Sequence, residues 1–198
     1  VVTGIGPVPP IGIGADAFLE GQHQARNGIR TITRFDTSDL TVHIAGEVDV
    51  DVEAYIERKE ARRLDRFVHL ALIGADLALA DAGLSRDDVA GERTGTSVGS
   101  GIGGLGTWEK ESRVRFERTP MRMSPFFIPM MIPDITAGHL SIRYGFMGPN
   151  YCTVSACASS AHALGNAFMH IMNGDADVML VGGTESVICE MAMAGFCS

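Results

Sequence analysis

No stretch of this 198-residue chain is apolar over the length that a membrane-spanning helix requires. Its first residues, Val1-Val2-Thr3-Gly4-Ile5-Gly6, also lack the basic leader and the long apolar region of a signal peptide, so we expect a cytoplasmic protein. Basic residues are scarce: 16 Lys and Arg stand against 24 Asp and Glu, for a formal net charge of −8. Because a nucleic-acid binder needs a basic surface to neutralise phosphates, this balance argues against such a partner.

Cysteine is also rare, and its spacing excludes two kinds of site. The four cysteines are Cys152, Cys157, Cys189 and Cys197, and no two of them form a C-x-x-C pair. That pattern is typical of a reducing compartment, so neither a disulfide framework nor a zinc site is expected. The composition is otherwise that of a globular protein, 45% hydrophobic and 20% charged, in a length that suits a single domain.

Cys157 lies in a setting that is typical of a nucleophile. The stretch 148–161 begins strand-like, passes through small residues and continues into an apolar, helix-patterned segment. A thiol at the first turn of a helix meets unpaired N–H groups and the positive end of the peptide dipoles, which favour its thiolate. Small neighbours such as Ser155, Ala156 and Ala158 leave room for a substrate carbonyl, and the Cys157 N–H can face the oxyanion. The alternative interpretation is a buried structural cysteine.

Strand-like and helix-like stretches alternate along the chain. Strands are predicted over residues 1–8, 93–100, 150–156 and 177–181. Helices are predicted over residues 15–27, 51–56, 62–82, 108–118, 134–144 and 157–172, with glycines after several of them at Gly28, Gly83, Gly145 and Gly174. Alternation of this kind predicts an α/β layered fold with a largely parallel sheet, without an internal repeat.

Two loop segments are unusual. Residues 99–106 form a glycine-rich loop directly after a predicted strand, which lets backbone lie close to another group. A phosphate is the tempting ligand, but the loop lacks the Lys-Ser/Thr ending of a Walker loop and meets a dinucleotide fingerprint only loosely. Residues 124–133 are apolar, broken by proline and rich in methionine. Such a loop lines an apolar cavity or a subunit contact, with ordinary core packing as the alternative.

A basic cluster interrupts the acidic background. Five cations occur within nine residues: Arg58, Lys59, Arg62, Arg63 and Arg66. One interpretation is a docking patch for an acidic partner. The other is a solvated helix face whose charges pair at i, i+4 spacing. Taken by themselves, these residues favour neither interpretation.

Six motifs occur in an order that resembles one family. They are Val1-Val2-Thr3-Gly4-Ile5-Gly6, Arg62-Arg63-Leu64-Asp65-Arg66-Phe67, Gly99-Ser100-Gly101-Ile102-Gly103-Gly104, Ser124-Pro125-Phe126-Phe127-Ile128-Pro129, Gly148-Pro149-Asn150-Tyr151 with Ser155-Ala156-Cys157-Ala158, and Gly174-Asp175-Ala176-Asp177 with Gly182-Gly183-Thr184-Glu185. The chain thereby resembles the N-terminal half of the type II β-ketoacyl-acyl carrier protein synthases, the elongating condensing enzymes of fatty acid synthesis. The resemblance covers essentially the whole chain. It implies a thiolase-like α/β fold whose N-terminal βα half has a mixed, mostly parallel sheet flanked by helices.

The resemblance also implies roles for particular residues. Cys157 would be the nucleophile that accepts the acyl chain from acyl carrier protein, and its backbone N–H would be one half of the oxyanion hole. Decarboxylation of malonyl-acyl carrier protein would then supply the attacking carbanion, with no metal or organic redox cofactor. The implied acyl-pocket residues are Ile102, Phe127, Met131 and Phe196. The positions implied to face the acidic carrier protein are Lys59, Arg62, Arg63 and Arg122, and a homodimer is implied.

Part of the family's machinery has no counterpart in these residues. Family members are about twice as long, and their two catalytic histidines, a lysine and the second oxyanion-hole donor lie in the C-terminal half. We therefore expect residues 1–198 to be the N-terminal half of the synthase domain, with the C-terminal half absent or supplied by another chain. His162 follows Cys157 by five residues on a predicted helix and turns away from the thiol by roughly 140°, so we interpret it as a packed histidine.

Two positions depart from the family pattern, and two other functions remain open. Asp134 stands where Asn is common, and Cys189-Glu190 stands after the Gly-Gly-Thr-Glu turn where Thr-Pro is frequent. Both lie away from the nucleophile, so we expect altered packing only. The main alternative function is a non-catalytic scaffold, a truncated or split condensing-enzyme subunit that packs against a partner chain. A cysteine hydrolase is the other, and it needs a histidine base beside the thiol.

Overall fold

The computed structural model describes residues 1–198, and its regular elements are nine helices and five strands. The helices are α1 (Ala15–His23), α2 (Arg58–Ala61), α3 (Arg66–Asp81), α4 (Arg86–Val89), α5 (Leu105–Glu117), α6 (Phe127–Met131), α7 (Ile135–Tyr144), α8 (Ser159–Asn173) and α9 (Glu190–Cys197). The strands are β1 (Arg30–Thr31), β2 (Ile44–Ala45), β3 (Thr94–Gly99), β4 (Asn150–Tyr151) and β5 (Val178–Gly183). Single turns of 3-10 helix occur at Val52–Ala54, Pro120–Arg122 and Ala156–Ala158. None of the helices combines the length and the apolar character that crossing a membrane requires.

The central sheet has three parallel strands in the order β4-β3-β5. β3 lies in the middle, and every one of its residues is buried. It pairs with β5 along its whole length, from Thr94 opposite Val178 to Gly99 opposite Gly183, and with β4 only briefly. β1 and β2 form a separate antiparallel ribbon. The predicted α/β fold with a largely parallel sheet is confirmed.

Helix α3 contributes more residues to the hydrophobic core than any other element. Its members of that core are Phe67, Val68, Leu72, Ala75 and Leu79. They recur at spacings of three and four, so they lie on one face of the helix. Burial of a side chain of this kind stabilises the fold by about 1.5–3 kcal/mol relative to exposure. The same cluster includes Leu140 of α7 and Val98 of β3, so it joins the two helices to the sheet.

The first turn of helix α8 packs directly against the backbone of the sheet. A Cβ atom added to Gly99, the last residue of β3, would overlap the backbone of Ser159, and one added to Gly183 of β5 would overlap Ser160. Only glycine therefore fits at these two strand ends. The first turn of α8 thus lies at the carboxyl ends of both strands, where parallel α/β sheets place their binding sites.

The predicted strand at residues 1–8 is wrong, because this segment pairs with no strand. It runs along α3 instead. A Cβ at Gly4 would overlap the backbone of Ala78, and a Cβ at Gly6 would overlap that of Gly74, so chain and helix are in direct contact. The same apolar pattern fits a segment that pairs in a sheet and a segment that runs along a helix, so the pattern does not distinguish these two arrangements.

Several other boundaries differ from the predicted ones for local reasons. α3 begins at Arg66 and not at residue 62, because Asp65 caps it and residues 58–61 form the separate turn α2. Strand pairing in 150–156 is limited to β4, and helix α8 starts two residues after Cys157. The segment 124–133 contains the short helix α6. The sequence pattern predicts neither the β1–β2 ribbon nor α9.

Asp65 joins the starts of two helices through one buried carboxylate. Its Oδ1 accepts a hydrogen bond from the Phe67 N–H at 3.2 Å, which caps α3. Its Oδ2 accepts from the N–H and from the hydroxyl of Thr107 in the first turn of α5, at 3.0 and 2.6 Å. N–H groups at both helix starts, which have no partner within the helix, are thus satisfied by a single side chain.

Replacement of Asp65 by alanine should lower the free energy of unfolding by about 3 kcal/mol, because a helix cap and two buried hydrogen bonds to a charged group are lost together. Urea unfolding of the full-length protein, followed by circular dichroism, measures the loss. Asp39→Ala is the matched control, since Asp39 is exposed. Equal losses in the two variants would contradict the role given to Asp65.

Candidate active site

Cys157 lies on a strained turn just before helix α8. It is the middle residue of the 3-10 turn Ala156–Ala158, and it is exposed. Ala156, directly before it, has a φ of +50°, in the left-handed region that residues with a Cβ rarely adopt. Such a conformation costs about 1–2 kcal/mol and persists only where the surroundings enforce it. A nucleophile on a sharp turn at the start of a helix is presented in this way.

Ser159 holds the turn in place. Its buried hydroxyl accepts a hydrogen bond from the Ser155 N–H at 2.9 Å and donates one to the Ala156 carbonyl at 2.7 Å. Thr153 Oγ1 in turn donates to the Ser159 carbonyl at 2.8 Å. These bonds offset the backbone strain, so the position of Cys157 is set before any substrate arrives.

His162 does not serve as a base for the thiol in this geometry. It is exposed, and its Nδ1 lies 2.6 Å from Ser155 Oγ. The interpretation of a packed histidine is therefore wrong, because this part of α8 faces outward. The hydrogen bonds that histidines make elsewhere in the chain do not reach Cys157 either. A cysteine hydrolase needs such a contact, so the site gives that alternative no support.

The other cysteines differ from Cys157 in their surroundings. Burial raises the pKa of the Cys152 thiol and that of the Cys189 thiol. Because the thiolate is the reactive form, these two are poorer nucleophiles at neutral pH. All four thiols are free. No group of three or more His, Cys, Asp or Glu side chains lies close enough together to hold a metal ion.

The glycine-rich loop after β3 lies beside the turn that carries Cys157. A Cβ added to Gly101 would lie 3.5 Å from Ala156 Cα. The N–H groups of Gly101 and Ile102 donate to one carboxylate oxygen of Glu185, at 2.8 and 3.1 Å. The donors that a bound phosphate needs are therefore already occupied. In the sequence, Glu185 is marked only by its place in the Gly-Gly-Thr-Glu motif, which by itself predicts no role for its side chain.

An apolar cleft of about 420 Å³ opens beside this loop. Its lining residues are Ile102, Leu105, Trp108, Met131, Ile132, Pro133 and Met191. Two of the four implied acyl-pocket residues, Ile102 and Met131, are thus brought together. Phe127 lies on the same short helix as Met131 but outside this lining, and Phe196 is 71% exposed on α9. The sequence pattern places neither Trp108 nor Met191 in the wall: Trp108 belongs to the predicted helix 108–118, and α9, which carries Met191, is not predicted.

Contacts between α5 and α9 fix one wall of the cleft. Glu109 Oε2 on α5 accepts a hydrogen bond from the Met191 N–H at 3.0 Å. Arg113, one turn later on α5, forms ion pairs with Glu109 at 3.3 Å and with Glu190. Because Met191 and Trp108 both belong to the lining, these contacts set the distance between the two side chains.

The basic cluster divides into free and structural residues. Three of its members are exposed and have no carboxylate within 4.0 Å of their side-chain nitrogens: Lys59, Arg62 and Arg63. The other two have partners in the fold. Arg58 pairs with Glu53 at 3.4 Å, and Arg66 donates to the Val48 carbonyl at 2.6 Å. The i, i+4 pairs of the solvated-face interpretation are therefore not found at Lys59, Arg62 or Arg63, and the docking patch stays a prediction.

A cation–π contact links this cluster to Arg122. The Arg63 guanidinium lies over the ring of Phe126, 5.0 Å from its centroid. Phe126 follows Arg122 by four residues, and Arg122 is exposed at the end of a 3-10 turn. The segment that carries Arg122 is therefore held against the residues that follow α2.

Comparison with known proteins defines the class and then the family. Solved structures of ketosynthases share this arrangement of helices and parallel sheet, which is the thiolase-like fold. Residues 1–198 match, over their whole length, the model of the beta-ketoacyl synthase N-terminal domain. The chain therefore belongs to the β-ketoacyl synthase family, and the resemblance drawn from its motifs is confirmed.

The relatives also show how much of a synthase the chain represents. It is 45% identical over 197 residues to 3-oxoacyl-[acyl-carrier-protein] synthase 2 of Staphylococcus aureus strain N315, which covers 99% of this chain and 48% of that protein. The ishigamide ketosynthase/chain length factor superposes with a TM-score of 0.89 at 27% identity, over 99% of this chain and 49% of that one. A type II polyketide synthase acyl carrier protein in complex with its ketosynthase, bound to the hexaketide, gives 0.80 at 26% identity, over 98% and 52%. The chain thus spans about half the length of the relatives it matches.

Iodoacetamide should alkylate Cys157 before the other thiols in the full-length protein, because Cys157 is exposed whereas burial raises the pKa of Cys152 and Cys189. Timed quenching followed by peptide mass mapping gives the order of labelling. Labelling of Cys152 or Cys189 first would show that Cys157 is not the accessible thiol.

Proposed function

We propose that the full-length protein is a 3-oxoacyl-[acyl carrier protein] synthase of fatty acid biosynthesis, with Cys157 as its nucleophile. The observation that carries this proposal is the exposed Cys157 on a strained, hydrogen-bonded turn beside an apolar cleft. The relative in Staphylococcus aureus, named for that activity, supports it.

The reaction proceeds in two stages at Cys157. Its thiolate attacks the thioester carbonyl of acyl-acyl carrier protein, and the carrier thiol leaves as the acyl-Cys157 thioester forms. Malonyl-acyl carrier protein then loses CO₂, and the carbanion that remains attacks the acyl carbonyl. A carbon–carbon bond forms, the bond from carbon to Cys157 Sγ breaks, and the thiolate is regenerated. In each stage the Cys157 N–H, at the start of a helical turn, stabilises the oxyanion.

The apolar cleft is the proposed site of the acyl chain. Its wall is made of hydrophobic side chains, six of seven, and hydrocarbon chains favour such a lining. Ile102 and Met131 belong to this lining, and we retain Phe127 and Phe196 as residues that join it when the remainder of the protein is present. The fixed position of Met191 opposite Trp108 then limits the space for the chain.

The free cations are the proposed docking surface for acyl carrier protein, namely Lys59, Arg62, Arg63 and Arg122. Lys59, Arg62 and Arg63 lack any acidic partner in the fold. Arg122 lies on the segment whose Phe126 contacts Arg63. An acidic partner would meet uncompensated positive charge there despite the net charge of −8. A related ketosynthase has been solved with its acyl carrier protein bound.

We further propose that residues 1–198 are the N-terminal half of one synthase domain, which a C-terminal half completes and which forms a homodimer. The outward face of α8 supports this: Phe168 and Met172 are 61% and 65% exposed, and Phe196 on α9 is 71% exposed. Large apolar side chains exposed together mark a surface that another element covers. If the partner half lacked catalytic residues, the assembly would be the scaffold that we weigh as the alternative.

Substitution of Cys157 by serine should reduce malonyl-dependent elongation by at least about a thousandfold, since a hydroxyl provides almost no anion at neutral pH. The assay follows 3-oxoacyl-acyl carrier protein formed by the full-length enzyme. Cys197→Ser is the matched control and should retain activity. A fully active Cys157→Ser variant would refute the proposed mechanism, and an inactive parent protein would favour the scaffold.

Reversal of Lys59 and Arg63 to glutamate should weaken binding of acyl carrier protein about tenfold at low salt. The loss should be smaller at high salt, because added salt shortens the Debye length and screens the charge–charge interactions. Affinity is measured by titration at two ionic strengths. Arg86→Glu is the control: Arg86 is exposed on α4, beyond the far end of α3, a helix about 24 Å long. Unchanged affinity at low salt would identify the cluster as an ordinary solvated face.

Residues 1–198 produced alone should not behave as an active monomer, because the exposed face of α8 associates or precipitates when nothing covers it. Size-exclusion chromatography with light scattering gives the mass, and co-expression with the C-terminal half should restore solubility. A soluble, condensing monomer of 21.1 kDa would contradict this division of the domain.

A further inference from the structure

Glu185 is a charged residue that the proposed mechanism does not use, and only the glycine-rich loop separates it from the turn that carries Cys157. It follows β5 and therefore lies at the same edge of the sheet as the glycine-rich loop that follows β3. The backbone at Glu185 is held in place by two hydrogen bonds of the preceding residue, Thr184. The Thr184 N–H donates to the Gly99 carbonyl at 3.0 Å, and the Thr184 hydroxyl donates to the Phe67 carbonyl of α3 at 2.6 Å.

The carboxylate of Glu185 organises the loop through three hydrogen bonds. Oε2 accepts from the N–H groups of Gly101 and Ile102, at 2.8 and 3.1 Å. Oε1 accepts from the Ser100 hydroxyl at 3.3 Å, and the same hydroxyl accepts from the Gly103 N–H at 3.1 Å. One side chain thus determines the backbone course of four consecutive residues.

The loop lies between Glu185 and the turn of the nucleophile. A Cβ at Gly101 would be 3.1 Å from Glu185 Oε2 on one side and 3.5 Å from Ala156 Cα on the other. The next residue, Ile102, presents its side chain to the apolar cleft. The orientation of Ile102 relative to Cys157 therefore depends on a backbone that Glu185 holds.

We infer that Glu185 is a positioning residue: its carboxylate fixes Ile102 at the mouth of the cleft and so sets which chain lengths reach Cys157. This inference rests on the proposed function for its substrate class, an acyl chain. Glu185 acts through the backbone of the glycine-rich loop and does not itself contact the acyl chain. The hydrogen bonds, not the charge, carry the effect, because both N–H groups need only an oxygen acceptor.

Two substitutions separate hydrogen bonding from charge. In Glu185→Gln the amide oxygen can occupy the position of Oε2 and accept both N–H bonds, so this variant should behave like the parent. In Glu185→Ala these two bonds and the bond from the Ser100 hydroxyl are all lost. Glu92→Ala is the control, since Glu92 is exposed and precedes the opposite, amino end of β3.

Two measurements on the full-length protein test the inference. The first is hydrogen exchange of the Gly101 and Ile102 amides, which should be at least about tenfold faster in Glu185→Ala, since each amide loses its acceptor. The second is the rate ratio for labelling of Cys157 by N-octylmaleimide and N-methylmaleimide. This ratio should change about tenfold in Glu185→Ala and stay near the parent value in Glu185→Gln and Glu92→Ala.

Each other result overturns the inference. Unchanged exchange in Glu185→Ala would mean that other contacts hold the loop, and faster exchange with an unchanged labelling ratio would mean that the loop does not control access. Equal behaviour of the glutamine and alanine variants would assign the effect to charge. The maleimides need no carrier protein and no turnover, so both measurements decide the role of Glu185 even if the protein fails to condense acyl chains.

Discussion

The contact between the first turn of α8 and the ends of β3 and β5 determines the rest of the site. Because Gly99 and Gly183 have no Cβ, the backbone of α8 reaches the sheet directly. At that distance Ser159 can bond back to the residues before Cys157 and hold Ala156 in its left-handed conformation. A methyl group at either glycine would displace the helix start, and the nucleophile would move with it.

In a parallel sheet the loops that follow neighbouring strands lie at the same edge, which is also where α8 contacts β3 and β5. The loop after β3 and the residues after β5 meet beside Cys157 and are joined by bonds from the Glu185 side chain to backbone N–H groups. The wall farther from this edge, with Trp108 and Met191, is apolar. Polar backbone groups and an apolar cleft therefore lie close together at this edge of the sheet.

The elements that the sequence predicts are those whose signal is local. The spacing of apolar residues in α3 and the glycines after α3 and α7 depend on residues a few positions apart, and both helices are found. Glu185 and Gly101 are 84 positions apart, and no periodicity relates them. The strand prediction for residues 1–8 fails for a similar reason, because the segment packs against the backbone of a helix some 70 positions later. Its apolar pattern would be the same beside a strand or beside a helix.

Three histidines have hydrogen-bond partners close to them in the fold, and Cys157 is not among those partners. His69 bonds to the Ala61 carbonyl, His170 pairs with Asp175, and His162 contacts Ser155, so each of the three is committed to structure nearby. Residues 1–198 therefore contain an exposed thiol on a strained turn and an apolar cleft, and none of these three histidines contacts that thiol. The outward face of α8 carries large exposed apolar side chains, such as Phe168 and Met172, so burial alone favours a further element that covers it. Under the proposed function, one added layer of structure would cover this face and also supply the groups that Cys157 lacks.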